Sequence, residues 1–369
     1  MIKINNVYYM LAYSYKTLNP KDKKYYAEEK FDNIYDLFAV MIDQCVNRQI
    51  RRGLVKEYIT KNDNLKSLRG KIKISESIKK NTKRTNSLIC EFDEYSINSY
   101  FNRIVKTAML YLVKSNNIKD NKKKKNLLKK IIYFKNIEEI QEVKKIRWNT
   151  MTFNNKTISY RFLMEICKLI LNDLYIGKDE GKLQFNTFLE DKAMANLYES
   201  FIREYYKVNE LDLNISKNNI SWNYDASDAI GLISNVPSME TDISISNCYN
   251  NDQLIIDAKF YTDSLKEHFD KDLFNSMNLY QIYSYVKNKD KDKVGNVLGM
   301  LLYAKTDKDE LGWTQVNMDG NYLVITDLDL NSDFRIIEEK LGDIIKWYKK
   351  EISLKELDEK YNKKIFIRD

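Results

Sequence analysis

An acid and an amine lie two residues apart in an otherwise apolar segment of the second half of the chain. The segment, Leu254–Tyr261, has the composition of a buried β-strand. Residues i and i+2 of a strand point to the same face, so we expect Asp257 and Lys259 to share one face. Burying charge costs several kcal/mol unless the charge is paired or bound to a metal ion. The pair therefore indicates a functional site, with a buried salt bridge or an edge strand as the alternative.

A second carboxylate, Asp242, precedes Asp257 by fifteen positions. Carboxylates are oxygen ligands that suit Mg²⁺, and a divalent ion can polarise a phosphate and activate water. A lysine beside them can orient the water or offset developing negative charge. We therefore predict that Asp242 and Asp257 bind Mg²⁺ beside Lys259, with the Ala258 carbonyl as a candidate further ligand. Taken alone, Asp242 also fits the solvated face of a half-buried strand.

Further candidate residues lie on two predicted helices. Gln281 and Tyr285 are four residues apart and so lie on one helical face, where they could contact a nucleic-acid backbone near the metal. The alternative is a core-facing Tyr285 and an exposed Gln281. Glu199 lies among apolar and aromatic residues on the helix that opens the second half, and its alternative is an ordinary exposed helical glutamate.

Composition limits the class of protein. A length of 369 residues corresponds to about two domains. A hydrophobic content of 43% with 31% charged residues is typical of a globular protein, and the net charge of +8 suggests a polyanionic partner. We find no segment approaching the roughly 18 apolar residues of a membrane span and no signal-peptide pattern. We therefore expect a cytoplasmic protein that does not bind membranes.

Cysteine and histidine usage excludes several other site types. The cysteines Cys45, Cys90, Cys167 and Cys248 are far apart in apolar or strand-like contexts, which predicts free, mostly buried thiols in a reducing compartment. The absence of a CxxC pair argues against a structural zinc site. The single histidine, His268, is expected at the surface, and its isolation argues against histidine-based nuclease chemistry.

Hydrophobic periodicity divides the chain into helices and strands. In the first half we predict helices over Val7–Tyr13, Asn33–Arg48, Asn98–Val113, Asn121–Phe134 and Ile158–Leu174, and strands over Leu54–Thr60, Leu68–Ser75 and Leu88–Tyr95. In the second half we predict helices over Asp191–Lys207, Phe274–Lys287 and Phe334–Lys349, and strands over Ile220–Tyr224, Glu240–Ser246, Leu254–Tyr261, Val297–Tyr303 and Tyr322–Ile325. This order predicts a mixed central sheet in the second half.

The residues of the candidate site carry a resemblance to a nuclease family. Asp242, a gap of fourteen, then Asp257-Ala258-Lys259 resembles the core motif of the PD-(D/E)xK nucleases, and Gln281-x-x-x-Tyr285 resembles the QxxxY element of their RecB-like branch. Wider segments resemble McrC, the family of nuclease subunits of McrBC modification-dependent restriction systems. Those segments are Asn6–Tyr13, Leu68–Ile72, Cys90–Asn98, Pro237–Ile243, Ile255–Tyr261 and Leu279–Tyr285.

The resemblance implies a fold and a division into domains. It implies an α+β N-terminal partner-docking domain over residues 1–175. An α/β PD-(D/E)xK restriction-endonuclease-like domain with a mixed central sheet is expected to follow over residues 176–369. The proline that names the motif is absent, because Thr241 directly precedes Asp242. The predicted metal ligands do not depend on that proline.

The resemblance also implies site roles and a cofactor. Mg²⁺ is expected to be held by Asp242 and Asp257, with Glu199 as a looser candidate ligand that fits the opening-helix acid of many such nucleases. Lys259 and Gln281 are expected to join the two aspartates as catalytic residues.

Family members act with a partner, so the resemblance implies one for this chain. The expected partner is a McrB-like hexameric AAA+ GTPase that recognises modified cytosine and translocates double-stranded DNA, while this chain stimulates the GTPase and cleaves the DNA. GTP is expected to bind the partner, because the nearest glycine-rich stretch here, Gly177–Leu183, lacks the spacing and the Ser or Thr of a phosphate-binding loop. The alternative is a non-catalytic adaptor that docks on and regulates the GTPase. The intact Asp242, Asp257 and Lys259 favour the enzyme.

Overall fold

The computed structural model describes residues 2–16, 29, 31, 33–80, 86–176, 192–224, 235–247, 251–260, 265–268, 271–305 and 311–362. The chain forms two compact units. One consists of Met1–Lys30 together with Gln184–Asp369, and the other of Phe31–Leu183.

The elements are numbered in chain order. The helices are α1 (Ile4–Ser14), α2 (Ile34–Arg52), α3 (Ile74–Lys79), α4 (Tyr100–Lys114), α5 (Asn121–Ile131), α6 (Arg161–Ile176), α7 (Lys192–Asn209), α8 (Ser276–Lys289), α9 (Phe334–Tyr348) and α10 (Leu354–Asn362). The strands are β1 (Glu57–Leu65), β2 (Lys71–Ile72), β3 (Leu88–Ser96), β4 (Leu213–Ser216), β5 (Asn219–Ile220), β6 (Met239–Glu240), β7 (Ile243–Asn247), β8 (Gln253–Lys259), β9 (Leu265–His268), β10 (Lys271–Phe274), β11 (Val297–Ala304), β12 (Trp313–Met318) and β13 (Asn321–Leu328).

The unit Phe31–Leu183 combines helices with a small antiparallel sheet in the order β1-β3-β2. Helix α2 begins where the Asn33 side chain accepts a hydrogen bond from the Asp36 N–H at 2.9 Å, and it ends at Gly53, whose φ of +86° favours glycine. The buried stripe that predicted this helix is present in the structure and consists of Leu37, Phe38, Met41, Ile42 and Cys45.

The other unit is built around a six-stranded mixed sheet in the order β12-β13-β11-β8-β7-β4. Strands β8, β11 and β13 run parallel to one another, whereas β7, β4 and β12 join as antiparallel neighbours. Strand β8 lies between two other strands and is buried from Leu254 to Ala258, which explains its nearly continuous apolar sequence. The predicted mixed central sheet is confirmed.

Helix α1 belongs to the unit that contains this sheet. The Tyr9 ring stacks on Phe334 of α9 with centroids 4.0 Å apart, and the Asn6 side chain donates to the Leu330 carbonyl at 2.7 Å. Our expected first domain, residues 1–175, therefore differs from the compact units in its placement of the first helix. Residues Asn6–Tyr13 are all buried, and an apolar pattern of this kind predicts burial without specifying the partner.

Two predicted strands are wrong in part. Leu68–Ser75 contributes only the two residues of β2, and α3 then follows. Gly70, just before β2, adopts φ of +68° close to the Glu91 carbonyl, where a side chain would clash. Glu240–Ser246 is interrupted at Thr241 and Asp242, between β6 and β7.

Several other expectations have clear outcomes in the fold. The strand predicted over Ile220–Tyr224 is limited to β5, and the predictions missed β4, β9, β10, β12 and α10. The glycine-rich stretch Gly177–Leu183 lies outside the described residues. No helix in the described part of the chain is both long and apolar enough to cross a membrane. Cys45, Cys90 and Cys167 are buried free thiols, as predicted, whereas Cys248 and the His268 side chain lie outside the described residues.

Candidate active site

The register of β7 against β8 brings the two predicted metal ligands together. Ile243 pairs with Ile256, so the next positions along the two antiparallel strands are Asp242 and Asp257. Asp242 lies in the interruption before β7, and its Oδ2 accepts a hydrogen bond from the Ala258 N–H at 2.9 Å. The interruption leaves Asp242 outside the regular strand while its carboxylate remains tied to β8.

The Asp257 carboxylate is fully buried, with 0% of its side chain exposed. Its Oδ2 lies 2.7 Å from Lys259 Nζ, which confirms that the two side chains share one face of β8. Within the described residues, neither Asp257 oxygen accepts a hydrogen bond of good geometry. Burial raises the pKa of this carboxyl, with Lys259 opposing the shift. A buried carboxylate whose well-aligned hydrogen bonds are missing and whose close cation is one lysine fits a site for a further cation.

The electrostatics of Asp242 lead to the same conclusion. Burial, followed by the negative charges of Asp257 and Glu199, raises the pKa of the Asp242 carboxyl to about 7. Two carboxyl groups this close titrate as a pair, and the second ionisation is suppressed unless a positive charge is supplied. Lys259 supplies one such charge, and a divalent ion would supply more. The Asp242 and Asp257 pair is therefore a donor set that fits a hard cation such as Mg²⁺.

A hydrogen-bonded chain leads from this pair to helix α8. Lys259 Nζ donates to Gln281 Oε1 at 2.9 Å, and Gln281 Nε2 donates to the Tyr285 hydroxyl at 2.8 Å. The Tyr285 hydroxyl donates in turn to the Glu240 carbonyl at 3.0 Å. Gln281 and Tyr285 thus share one helical face, and that face is turned toward Lys259. The chain fixes the Lys259 amine beside Asp257.

Helix α8 is itself held firmly against the sheet. The Asn275 side chain caps its first turn by accepting from the Met277 N–H at 3.1 Å. The buried Asn278 side chain donates to the Tyr303 hydroxyl of β11 at 2.9 Å. Gly299 of β11 lies under the helix, where a Cβ atom would clash with Val286. This close packing brings Gln281 within reach of Lys259.

Glu199 occupies a different position from the two aspartates. Its Oε1 lies 2.8 Å from Arg203 Nη1 and 3.4 Å from Lys217 Nζ, and its side chain is 17% exposed. Its charge nevertheless contributes to the raised pKa values of both aspartates. Among the described residues, no three His, Cys, Asp or Glu side chains are arranged to hold one metal ion. The structure therefore brings Asp242 and Asp257 together and places Glu199 beside them, paired with cations.

The sequence predictions did not include Arg203, which contacts two of the candidate residues. Its Nη1 donates to Glu199 Oε1 at 2.8 Å and to the Asp242 carbonyl at 3.1 Å. The spacing of Glu199 and Arg203, four residues apart on a helix, is a signal for the first contact. No sequence signal predicts the second, because it joins α7 to a segment 39 residues away.

Comparisons with known proteins show the family of this chain. Residues 3–304 match the family described as McrBC 5-methylcytosine restriction system component. The type IV methyl-directed restriction enzyme EcoKMcrBC of Escherichia coli (strain K12) is 25% identical over 356 residues, which cover 95% of this chain and 99% of that protein.

A solved structure shares the fold. It is the refined half-complex from the tetradecameric assembly of Thermococcus gammatolerans McrB AAA+ hexamers with bound McrC. The likeness has a TM-score of 0.50 at 18% identity and covers 92% of this chain and 76% of that chain. The matched range, residues 3–304, spans the positions of Asp242, Asp257, Lys259 and Gln281. This chain belongs to the family of McrBC 5-methylcytosine restriction system components.

Proposed function

We propose that this chain is the metal-dependent DNA endonuclease subunit of a GTP-dependent restriction complex, with a PD-(D/E)xK active site at the Asp242 and Asp257 pair. The single observation that carries the proposal is the Asp257 carboxylate. It is fully buried, it has no hydrogen-bond donor of good geometry among the described residues, and it lies beside a second carboxyl whose pKa is raised to about 7. A cation is the group that such a pair requires, and phosphodiester hydrolysis is chemistry that carboxylate-bound Mg²⁺ serves.

The residues of this chain have separate roles in the proposed reaction. Asp242 and Asp257 would hold Mg²⁺, which when bound would polarise the scissile phosphate and activate water. Lys259 supplies a positive charge next to the pair, where it can stabilise negative charge that develops on the phosphate. Gln281 and Tyr285 keep the Lys259 amine in place, so that little reorganisation is needed during the reaction.

The proposed partner is a McrB-like hexameric AAA+ GTPase, and the proposed substrate is double-stranded DNA that contains modified cytosine. Support comes from the family and from the two relatives, one described as a methyl-directed restriction enzyme and the other as McrC bound to McrB hexamers. We assign docking and stimulation of the GTPase to the unit Phe31–Leu183, and cleavage to the unit that contains β8. GTP would be bound by the partner and not by this chain.

The test combines this chain with a McrB-like GTPase, Mg²⁺, GTP and a duplex in methylated and unmethylated forms. Wild type should cleave the methylated duplex, whereas Asp257→Ala should stop cleavage and leave GTPase stimulation intact. Unchanged cleavage by Asp257→Ala would rule out the assigned site. A wild-type chain that stimulates the GTPase but never cuts would establish the adaptor alternative instead.

A further inference from the structure

We propose that Arg203 is a positioning residue that holds Asp242 in place for the cation, and that Glu199 serves this arrangement as the anchor of Arg203. The inference rests on the proposed function, because it concerns the metal-binding pair. It begins from the two hydrogen bonds of one nitrogen: Arg203 Nη1 donates to both Glu199 Oε1 and the Asp242 carbonyl.

Asp242 needs such a support because of where it lies. It occupies the break between β6 and β7, outside either strand, so the sheet ladder does not fix its backbone. Its carboxylate accepts a hydrogen bond from the Ala258 N–H, and its carbonyl accepts one from Arg203. The first contact ties the side chain to β8, and the second ties the backbone to α7. Together they orient the carboxylate toward Asp257.

A second cation braces the same segment. Lys217 Nζ lies 3.4 Å from Glu199 Oε1 and 3.3 Å from Glu240 Oε2. Burial lowers the pKa of Lys217, but the two carboxylates outweigh burial, so its pKa is raised. The Glu240 carbonyl accepts a hydrogen bond from the Tyr285 hydroxyl. Glu240, two residues before Asp242, is therefore fixed by Tyr285 of α8 and by Lys217. Arg203 fixes Asp242 itself.

The chemistry of the guanidinium suits this role better than that of an ammonium. Arginine is permanently charged and planar, so its N–H groups can reach a carboxylate and a carbonyl in fixed directions. The Arg203 side chain is only 16% exposed, so water competes weakly for these bonds. Partners that orient a metal-binding group commonly change metal affinity about 10- to 100-fold when they are removed. We expect an effect of that size at Arg203.

The experiment measures binding of Mn²⁺ alone to the full chain by isothermal titration calorimetry, without DNA or partner. Arg203→Lys should weaken Mn²⁺ binding about tenfold, and Arg203→Met should weaken it at least as much. The matched control is Lys207→Met, which removes another cation of α7 that pairs with Glu204 at 2.8 Å and does not touch Asp242. That control should bind Mn²⁺ within about twofold of wild type, well below the change expected for a lost orienting partner.

A melting curve in EDTA separates positioning from simple loss of stability. If Arg203 positions Asp242, Arg203→Lys should keep a wild-type Tm in EDTA while its Mn²⁺ affinity falls. Excess Mn²⁺ should then restore cleavage in the assembled complex with an unchanged KM for DNA. Arg203→Lys that lowers the Tm but binds Mn²⁺ as tightly as wild type would overturn the inference. A wild-type chain that binds no Mn²⁺ would overturn the proposed function as well, so the two failures are distinguishable.

Discussion

The Lys259 ammonium and the Gln281 amide oxygen lie 2.9 Å apart and so join β8 to α8 inside the candidate site. The same ammonium lies 2.7 Å from Asp257 Oδ2. Because an ammonium has three N–H donors, Lys259 can contact both acceptors, and Gln281 holds the amine in place beside Asp257. The amine therefore stays beside the buried Asp257 carboxylate and supplies positive charge there.

Replacing Gln281 should separate catalysis from binding. Gln281→Leu removes the acceptor of the Lys259 amine, so kcat for DNA cleavage should fall about 10- to 100-fold, the size expected of a misplaced catalytic group. Affinity for duplex DNA should change little. Single-turnover cleavage and fluorescence anisotropy measure the two quantities. Lys289→Met, at the far end of the same helix, is the control and should keep wild-type rates.

Non-additivity then tests whether Gln281 acts through Lys259. In a chain that already carries Lys259→Met, adding Gln281→Leu should cause little further loss, because the group it positions is gone. Fully additive losses in the double variant would mean that Gln281 acts on the substrate by itself.

The raised pKa of Asp242 predicts how the stability of the metal-free chain depends on pH. An acid whose pKa rises from 3.8 in the unfolded chain to about 7 in the folded chain holds its proton longer when folded. Stability is therefore highest at low pH in this range and falls as the pH rises from about 4 through about 7. Asp242→Asn should remove this loss and raise the free energy of unfolding by about 1 to 3 kcal/mol at pH 8.

Thermal or urea unfolding in EDTA, across this pH range, measures the effect. Asp212→Asn is the control. The hydrogen bond to Lys349 lowers the pKa of Asp212, so its stabilisation is lost only below about pH 4 and this variant should leave the slope between about pH 4 and 7 unchanged. A wild-type chain whose stability did not depend on pH between these limits would contradict the paired-carboxylate description.

Metal binding should show the reverse pH dependence. Protons and Mg²⁺ compete for the two aspartates, so the rise in Tm caused by Mg²⁺ should be small near pH 5.5 and should grow as the pH passes about 7. Asp257→Asn should abolish the rise at every pH, because it removes a charge that the ion requires. Differential scanning fluorimetry with matched Mg²⁺ and EDTA samples measures both. An equal Mg²⁺ effect in Asp257→Asn would place the ion elsewhere.

The sequence predicted the parts of the site that follow local periodicity. Alternation along β8 placed Asp257 and Lys259 on one face of that strand, and helical spacing placed Gln281 and Tyr285 on one face of α8. These relations depend on residues only two or four apart, so the repeat of the element determines them. The mixed sheet followed from the order of the elements.

The remaining features depend on tertiary contacts that no local pattern contains. The hydrogen bond from Arg203 to the Asp242 carbonyl joins segments that are far apart, and a carbonyl carries no sequence signal. The break at Asp242 was also missed, because the alternation of residues continues through it. Helix α1 was predicted correctly as buried. The expected domain division placed it with residues 1–175, whereas it packs in the unit that contains β8, since eight consecutive buried residues identify no particular partner.

Helix α1 gives the last prediction, which concerns how truncations should be interpreted. Tyr9 is 3% exposed and stacks on Phe334 of the unit that contains the candidate site. Tyr9→Ala should lower the free energy of unfolding of that unit by about 3 to 5 kcal/mol, as for other buried aromatic residues. The exposed Tyr58, in the other unit, is the matched control, and Tyr58→Ala should change stability by less than about 1 kcal/mol.

Hydrogen exchange of β8 and α9 amides would locate the effect of Tyr9→Ala. Faster exchange in Tyr9→Ala would mean that deleting the first 150 residues damages the unit that contains β8 directly, so loss of cleavage in such a truncation would not by itself demonstrate a docking role. Unchanged exchange in β8 and α9 would instead show that the first helix contributes nothing to that unit.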